Sequence, residues 1–184
     1  MSLKIGLNLT YKYSINFNIK RRNKSELKFV ILHYTGMKKE NEAIQRLCDP
    51  KSKVSSHYFI KDNGKVLNLV PDLYEAWHAG VSKWGKLKSL NKYSIGIEIN
   101  NPGHEHGYKN FNSKQIISLV KLLKYLLKKY SIKKQNILGH SDISPDRKKD
   151  PGEKFPWNKL GKKKLCKWHS LKENKIKRFR NLKI

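Results

Sequence analysis

The run KFVILH at residues 28–33 decides the fold, because it is a compact β-branched and aromatic stretch that stops at a histidine. Such a run is typical of a strand buried in the core of a sheet. The run YSIGIEI at residues 93–99 is a second strand pattern. Side chains alternate along a strand, so its three isoleucines share one face, and Gly96 and Glu98 share the other.

The remaining patterns intermix strands and helices. Residues 57–61 and 65–70 flank an Asp-Asn-Gly turn, which is typical of a tight hairpin. Helical spacing at residues 40–48 and 112–130 predicts two helices, and a short strand is expected at residues 135–139. This mixture predicts an α/β fold: a single domain with a mixed central β-sheet flanked by α-helices.

Charge is concentrated at the two ends of the predicted domain. We expect a basic N-terminal extension at residues 1–27, a folded domain at 28–160 and a basic tail at 161–184. Residues 159–184 contain eleven Lys or Arg and one Glu. The net charge of +27 attracts anions such as nucleic acid, anionic lipid or cell-wall polymer, although a genome-wide lysine bias explains it equally well.

Hydropathy and cysteine content bear on the compartment. No apolar stretch is long enough to span a bilayer, and the N-terminus lacks the pattern of a secretory signal. The only two cysteines do not suggest a disulfide framework. These features favour a cytoplasmic protein, with the periplasm or cell envelope as the alternative; we expect a monomer.

Seven histidines offer ligands for a metal, but no His-Glu-x-x-His or Cys-x-x-Cys spacing selects among them. His104-Glu105-His106 lies between two glycines and is expected to be a solvated loop. The segment GHSDISPDRKKDPG at residues 139–152 is dense in titratable groups. Glu98 is either an exposed residue of a one-sided sheet or a buried carboxylate that needs a partner.

Six segments, which follow one another along the chain, resemble the amidase-2 family of zinc-dependent N-acetylmuramoyl-L-alanine amidases, and in particular the AmpD and AmiD groups of that family. That family shares its fold with phage T7 lysozyme and the peptidoglycan recognition proteins. The segments are VILHYT (30–35), VSSHY (54–58), AWHAG (76–80), SIGIE (94–98), GHSDISP (139–145) and RKKDPG (147–152), with FPW (155–157) closing the match.

The resemblance implies a zinc ion bound by His33, His140 and Asp150. Zinc accepts imidazole nitrogen and carboxylate oxygen, and three protein ligands leave one position open for water, as catalytic sites require. The resemblance also implies that Glu98 is the general base and that Lys148 stabilises the oxyanion. Lys149 is the alternative to Lys148, although side-chain alternation favours Lys148 sharing the direction of Asp150.

The implied substrate is the amide between N-acetylmuramic acid and L-alanine in peptidoglycan or muropeptides. Tyr34, His57, Trp77 and His78 are predicted to contact this substrate, with core packing as the alternative for His57, Trp77 and His78.

Two other functions compete with hydrolysis. A non-catalytic peptidoglycan-binding module would keep the groove and lose a ligand, but all three ligand positions are filled here. The second is nucleic-acid binding by the basic tail, in which Trp168 and Phe179 lie between lysines and arginines. The sequence contains no recognised nucleic-acid-binding motif, which argues against nucleic acid as a partner.

Overall fold

The protein is described by a computed structural model that covers residue 7 and residues 9–169. Ten strands and four α-helices form in this part of the chain, with short 3₁₀ turns between them. The strands are β1 (Leu9–Tyr11), β2 (Phe17–Asn18), β3 (Phe29–Tyr34), β4 (Tyr58–Ile60), β5 (Val66–Asn68), β6 (Glu75–Ala76), β7 (Lys83–Trp84), β8 (Leu87–Lys88), β9 (Ser94–Ile99) and β10 (Ile137–Gly139). The helices are α1 (Glu40–Cys48), α2 (Ser113–Tyr130), α3 (His140–Ile143) and α4 (Trp157–Lys162).

Six strands form the central sheet in the order β1-β5-β4-β9-β3-β10. The pair β4 and β5 is antiparallel, as the Asp-Asn-Gly turn predicts, while β10, β3, β9 and β4 run parallel to their neighbours. The sheet is therefore mixed, which confirms the predicted fold class. Parallel pairing places the carboxyl ends of β10, β3 and β9 side by side at one edge of the sheet.

Helix α2 covers one face of this sheet. Its buried leucines, among them Leu119 and Leu123, belong to the same core cluster as the three isoleucines of β9. Asn112 accepts a hydrogen bond from the Gln115 backbone N–H at 2.9 Å, and Gln115 Oε1 accepts one from Asn112 N–H at 3.1 Å. This reciprocal pair is the expected capping box. No helix in residues 9–169 has the length and apolarity needed to cross a membrane.

The described parts of the two basic ends contact the folded domain. Strand β1 pairs with β5 in the main sheet, and the buried Arg22 guanidinium donates to the carbonyls of Ser94 and Asp72. Residues 9–27 are thus integrated into the domain. At the other end, Leu165 is buried in the main core cluster. Residues 170–184 lie outside the described part of the chain.

Candidate metal centre and active site

His33 and Glu98 reach the same face of the sheet because their strands are in register. In the parallel pair of β3 and β9, His33 lies opposite Glu98. Val30 and Leu32 of β3 point the other way, into the core beneath α2. His33 is 1% exposed, so its imidazole is held by its surroundings rather than by solvent.

His140 and Asp150 come from the edge next to β3. Strand β10 ends at Gly139, and His140 begins α3 directly after it. After α3, a loop of residues 144–149 leads back to Asp150, and Ser141 N–H donates to the Asp150 carbonyl at 2.8 Å. This hydrogen bond holds the two ends of the loop together, so that His140 and Asp150 point at the same space.

Three side-chain atoms converge at this point. His33 Nδ1 lies 2.9 Å from Asp150 Oδ2 and 3.0 Å from His140 Nδ1, and His140 Nδ1 lies 3.0 Å from Asp150 Oδ2. These residues form a buried group that could hold a metal ion. His104 and His106 form no such group within the described residues.

The donor set fits zinc. Tetrahedral bonds of about 2.0–2.2 Å place zinc ligand atoms roughly 3.3–3.6 Å apart, so these three atoms need to separate by only a few tenths of an ångström to bind the ion. Burial, followed by the charge of His140, lowers the pKa of His33 to about 4. Burial alone would raise the pKa of Asp150, but the adjacent His140 and His33 hold it well below its ordinary value. A neutral imidazole and an ionised carboxylate are the forms that bind metal.

Glu98 is the second unusual group in the site. Its Oε2 atom is buried and has no hydrogen-bond partner among the described residues. Burial first, and then the negative charge of Asp150, raises the pKa of Glu98 well above its ordinary value. A buried carboxylate oxygen without a partner is costly, which points to a role other than stability. The residue as a whole is half-buried, but this oxygen is enclosed, so the structure favours the buried carboxylate over the exposed residue of a one-sided sheet.

Lys148 and Lys149 both line the cavity above the cluster. The positive charge of Lys148 lowers the pKa of both Glu98 and His33, which places its ammonium group within electrostatic reach of both. The choice between Lys148 and Lys149 for the oxyanion stays a prediction, and this electrostatic reach supports Lys148.

The cavity has a volume of about 690 Å³ and opens directly over the cluster. More cationic side chains line its wall than the sequence patterns suggested. The lining residues include Tyr34, Met37, Arg46, Val54, Trp77, His78, His104, Arg147, Lys148 and Lys149. Three of the four predicted substrate-contacting residues therefore face this space: Tyr34, Trp77 and His78.

His57 is placed elsewhere, beneath the sheet end and 0% exposed. Its Nε2 atom lies 2.9 Å from both Arg22 Nη2 and the Tyr74 carbonyl, and its Nδ1 accepts from Gly96 N–H at 3.0 Å. Its side chain is enclosed by these partners and does not line the cavity. The structure thus gives His57 the packing role that was the alternative to substrate contact.

The cavity rim contains a residue that the patterns did not select. His104 Nδ1 lies 2.9 Å from Tyr34 Oη, and its Nε2 lies 2.9 Å from Glu153 Oε2. All three residues of this segment are exposed, as expected of a solvated loop, but His104 is also hydrogen-bonded to Tyr34 and Glu153. The position of His104 directly after Gly103 was a weak sequence signal for this contact, because a glycine with positive φ often marks a close approach of two segments.

The sequence matches a known protein family. A family model described as N-acetylmuramoyl-L-alanine amidase, amidase-2, matches residues 23–153. The chain belongs to the amidase-2 family. The resemblance carried by the six sequence segments is thereby confirmed.

Individual amidase-2 relatives are similar over most of the chain. The amidase AmiD of Escherichia coli K12 is 37% identical over 77% of this chain and 55% of its own length. The 1,6-anhydro-N-acetylmuramyl-L-alanine amidase AmpD of Haemophilus influenzae is 33% identical over 76% of this chain and 84% of its own. The chain therefore spans about half of AmiD and most of AmpD.

A solved amidase-2 structure shows the same fold. The crystal structure of AmpDH3 from Pseudomonas aeruginosa, in complex with an anhydromuramic pentapeptide, superposes with a TM-score of 0.74 at 31% identity. The match covers 91% of this chain and 71% of AmpDH3.

Proposed function

We propose that this chain is a zinc-dependent amidase that hydrolyses the bond between N-acetylmuramic acid and L-alanine in peptidoglycan or muropeptides. The observation that carries the proposal is the buried cluster of His33, His140 and Asp150 at the floor of a cation-rich cavity. Membership of the amidase-2 family and the names of its relatives support the substrate.

The three clustered residues are the proposed zinc ligands. When bound, zinc supplies Lewis-acid chemistry: it polarises the scissile carbonyl and makes water nucleophilic near neutral pH. Two imidazoles and one carboxylate leave one zinc charge uncompensated, which suits a site that must stabilise negative charge.

Glu98 is the proposed proton carrier. Its position opposite His33 in the adjacent strand and the raised pKa of its carboxyl suit a group that takes a proton from the attacking water. The same carboxyl can return that proton to the leaving amine of L-alanine. Its unpartnered Oε2 leaves an oxygen available for this transfer.

The cavity wall is the proposed substrate-binding surface. Lys148 is assigned to the developing oxyanion of the carbonyl, and a cationic wall attracts the carboxylates of a stem peptide. Tyr34 and Trp77 offer aromatic surface to the sugar or peptide. His78 also faces the cavity, but it is additionally in contact with His33.

Product analysis tests the activity. Purified protein is incubated with intact sacculi and with soluble anhydro-muropeptides, with and without a chelator, and products are identified by mass. We expect release of peptides with a free L-alanine amine, loss of release with chelator, and its recovery on adding zinc. A Glu98→Gln variant should bind zinc and lose turnover.

Two outcomes would contradict the proposal. Zinc binding without cleavage of either substrate would indicate a non-catalytic peptidoglycan-binding module. Cleavage that persists without metal would exclude the zinc mechanism. Preference for sacculi or for soluble muropeptides also separates wall degradation from recycling. A cytoplasmic location stays a prediction that cell fractionation can test.

A further inference from the structure

The outer nitrogens of both clustered histidines contact one dipeptide. His140 Nε2 lies 3.1 Å from the Ala79 carbonyl oxygen, and His33 Nε2 lies 3.1 Å from His78 Nδ1. A carbonyl only accepts, so His140 carries its proton on Nε2. The contact between two imidazoles does not by itself show which nitrogen donates.

Ser94 settles the direction of the second contact. Its hydroxyl oxygen lies 2.6 Å from the Leu90 carbonyl, and the single hydroxyl proton must point there. The same oxygen lies 3.2 Å from His78 Nε2, so it accepts the proton of that nitrogen. In a neutral His78 the lone pair then sits on Nδ1, and His33 Nε2 is the donor.

This direction has a consequence at the centre of the site. With protons on both Nε2 atoms, neutral His33 and His140 direct Nδ1 lone pairs at Asp150 Oδ2. Three acceptors then face one another within 3.0 Å without a shared proton. A metal cation between the three atoms makes this arrangement favourable, so these tautomers are the ones that a metal site requires.

Close packing and hydrogen bonds hold His78 in place. A Cβ atom added to Gly96 would lie within 2.6 Å of His78 Nδ1 and Cδ2, so only glycine lets the ring lie against β9. Asn91 Oδ1 accepts from the backbone N–H groups of His78 at 3.1 Å and Ala79 at 2.7 Å. His78 is 8% exposed, so protein partners rather than solvent hold it.

We propose that His78 is a positioning residue that fixes the tautomer and ring orientation of His33 for metal binding. It accepts the His33 Nε2 proton, and Ser94, Gly96 and Asn91 hold it in the state that can do so. This inference rests on the metal site of the proposed function. A partner at the outer nitrogen of a ligand histidine typically changes metal affinity by about 10- to 100-fold.

Substitutions at residue 78 separate hydrogen bonding from ring packing. His78→Phe keeps a ring and loses the acceptor, whereas His78→Asn can keep an acceptor near the position of Nδ1. We expect His78→Phe to weaken zinc binding by about 10- to 100-fold in competition with a chromophoric chelator, and His78→Asn to bind within a few-fold of wild type. His104→Phe is the matched control, because His104 lines the same cavity without contacting the cluster; its zinc affinity should not change.

A second readout needs no metal. In ¹⁵N-histidine-labelled, metal-free protein at about pH 8, His33 should show the shifts of a single Nε2-protonated tautomer. His78→Phe should convert this signal to a mixture of tautomers. If His78→Phe does not fold, Ser94→Ala replaces it, and His78 itself should then show mixed tautomers.

The results distinguish this inference from the metal site beneath it. A wild-type protein that binds no zinc would overturn the metal site, and the tautomer of His33 would still test the role of His78. Folded His78→Phe or Ser94→Ala protein with wild-type zinc affinity and unchanged tautomers would overturn the role of His78 alone.

Discussion

Replacing Glu98 by glutamine should stabilise the metal-free protein while it removes the proposed proton carrier. Glu98 Oε2 is buried without a hydrogen-bond partner among the described residues, and burial, followed by the charge of Asp150, raises the pKa of Glu98 well above its ordinary value of 4.5. Between about pH 4.5 and this raised pKa, the folded state therefore binds more protons than the unfolded chain. Its stability falls as pH rises from about 4.5 to the raised pKa, and the loss is complete above it.

The expected size follows from this linkage. A buried polar atom left without a hydrogen bond costs about 1–3 kcal/mol, and the part of this cost that belongs to the ionised carboxyl grows with pH. Three effects reduce the stability that the substitution can gain. Glu98 is partly exposed, the charge of Lys148 favours the ionised carboxyl, and a glutamine amide would also leave polar atoms unpaired. We expect about 1–2 kcal/mol for Glu98→Gln, or roughly 2–8 °C in melting temperature.

Thermal unfolding in chelator, measured from about pH 4.5 to 8, is the assay. The stability difference between Glu98→Gln and wild type should be small at the acid end and should grow with pH. Glu105→Gln is the control, because Glu105 is an exposed carboxylate on the cavity rim. A difference that is the same at every pH, or a variant less stable than wild type at neutral pH, would refute the view of Glu98 as a buried, unpaired carboxylate.

Three further predictions concern the oxyanion, the hydrogen bonds of buried Asp72, and the core. Lys148→Ala should lower kcat on muropeptides by about 10²- to 10³-fold and Lys149→Ala by only a few-fold; the reverse order would assign the oxyanion to Lys149. Asp72→Asn should lower the free energy of unfolding in urea by about 2–3 kcal/mol, because the Asp72 carboxylate accepts from two tyrosine hydroxyls at 2.6 Å and a lysine ammonium at 2.8 Å. An unchanged urea midpoint would show that this network contributes no stability. Leu119→Ala, at a fully buried position of α2, should cost about 3–4 kcal/mol, while the exposed Ile117→Ala should change stability by less than about 0.5 kcal/mol; similar values for both would contradict the described packing of α2.

Local patterns predicted the elements of this fold well where one periodicity dominated. The helix at residues 113–130, its cap at Asn112 and the hairpin after β4 all follow from short-range physics. The N-terminal residues were harder, because β1 is only three residues long and is stabilised by pairing with β5. The sequence of so short a strand carries no local pattern that distinguishes it from an N-terminal extension outside the sheet.

The two histidines in similar motifs show where local reasoning ends. His57 and His78 each follow a short polar or aromatic stretch and were both expected beside the substrate. In the structure His57 is enclosed by Arg22 and β9, whereas His78 reaches His33 and the cavity. Which partner a buried imidazole meets depends on segments distant in sequence, and no periodicity encodes that.

The sequence by itself determined that His33 and Glu98 lie on buried strands with defined faces, because side-chain direction alternates with a period of two. Family resemblance added the choice of His33, His140 and Asp150 as metal ligands. Only the tertiary structure brought together residues 107 and 117 positions apart, by setting β10 and β9 on either side of β3. It also decided the hydrogen-bond directions around them, since burial removes water and leaves each polar group only the partners that packing supplies.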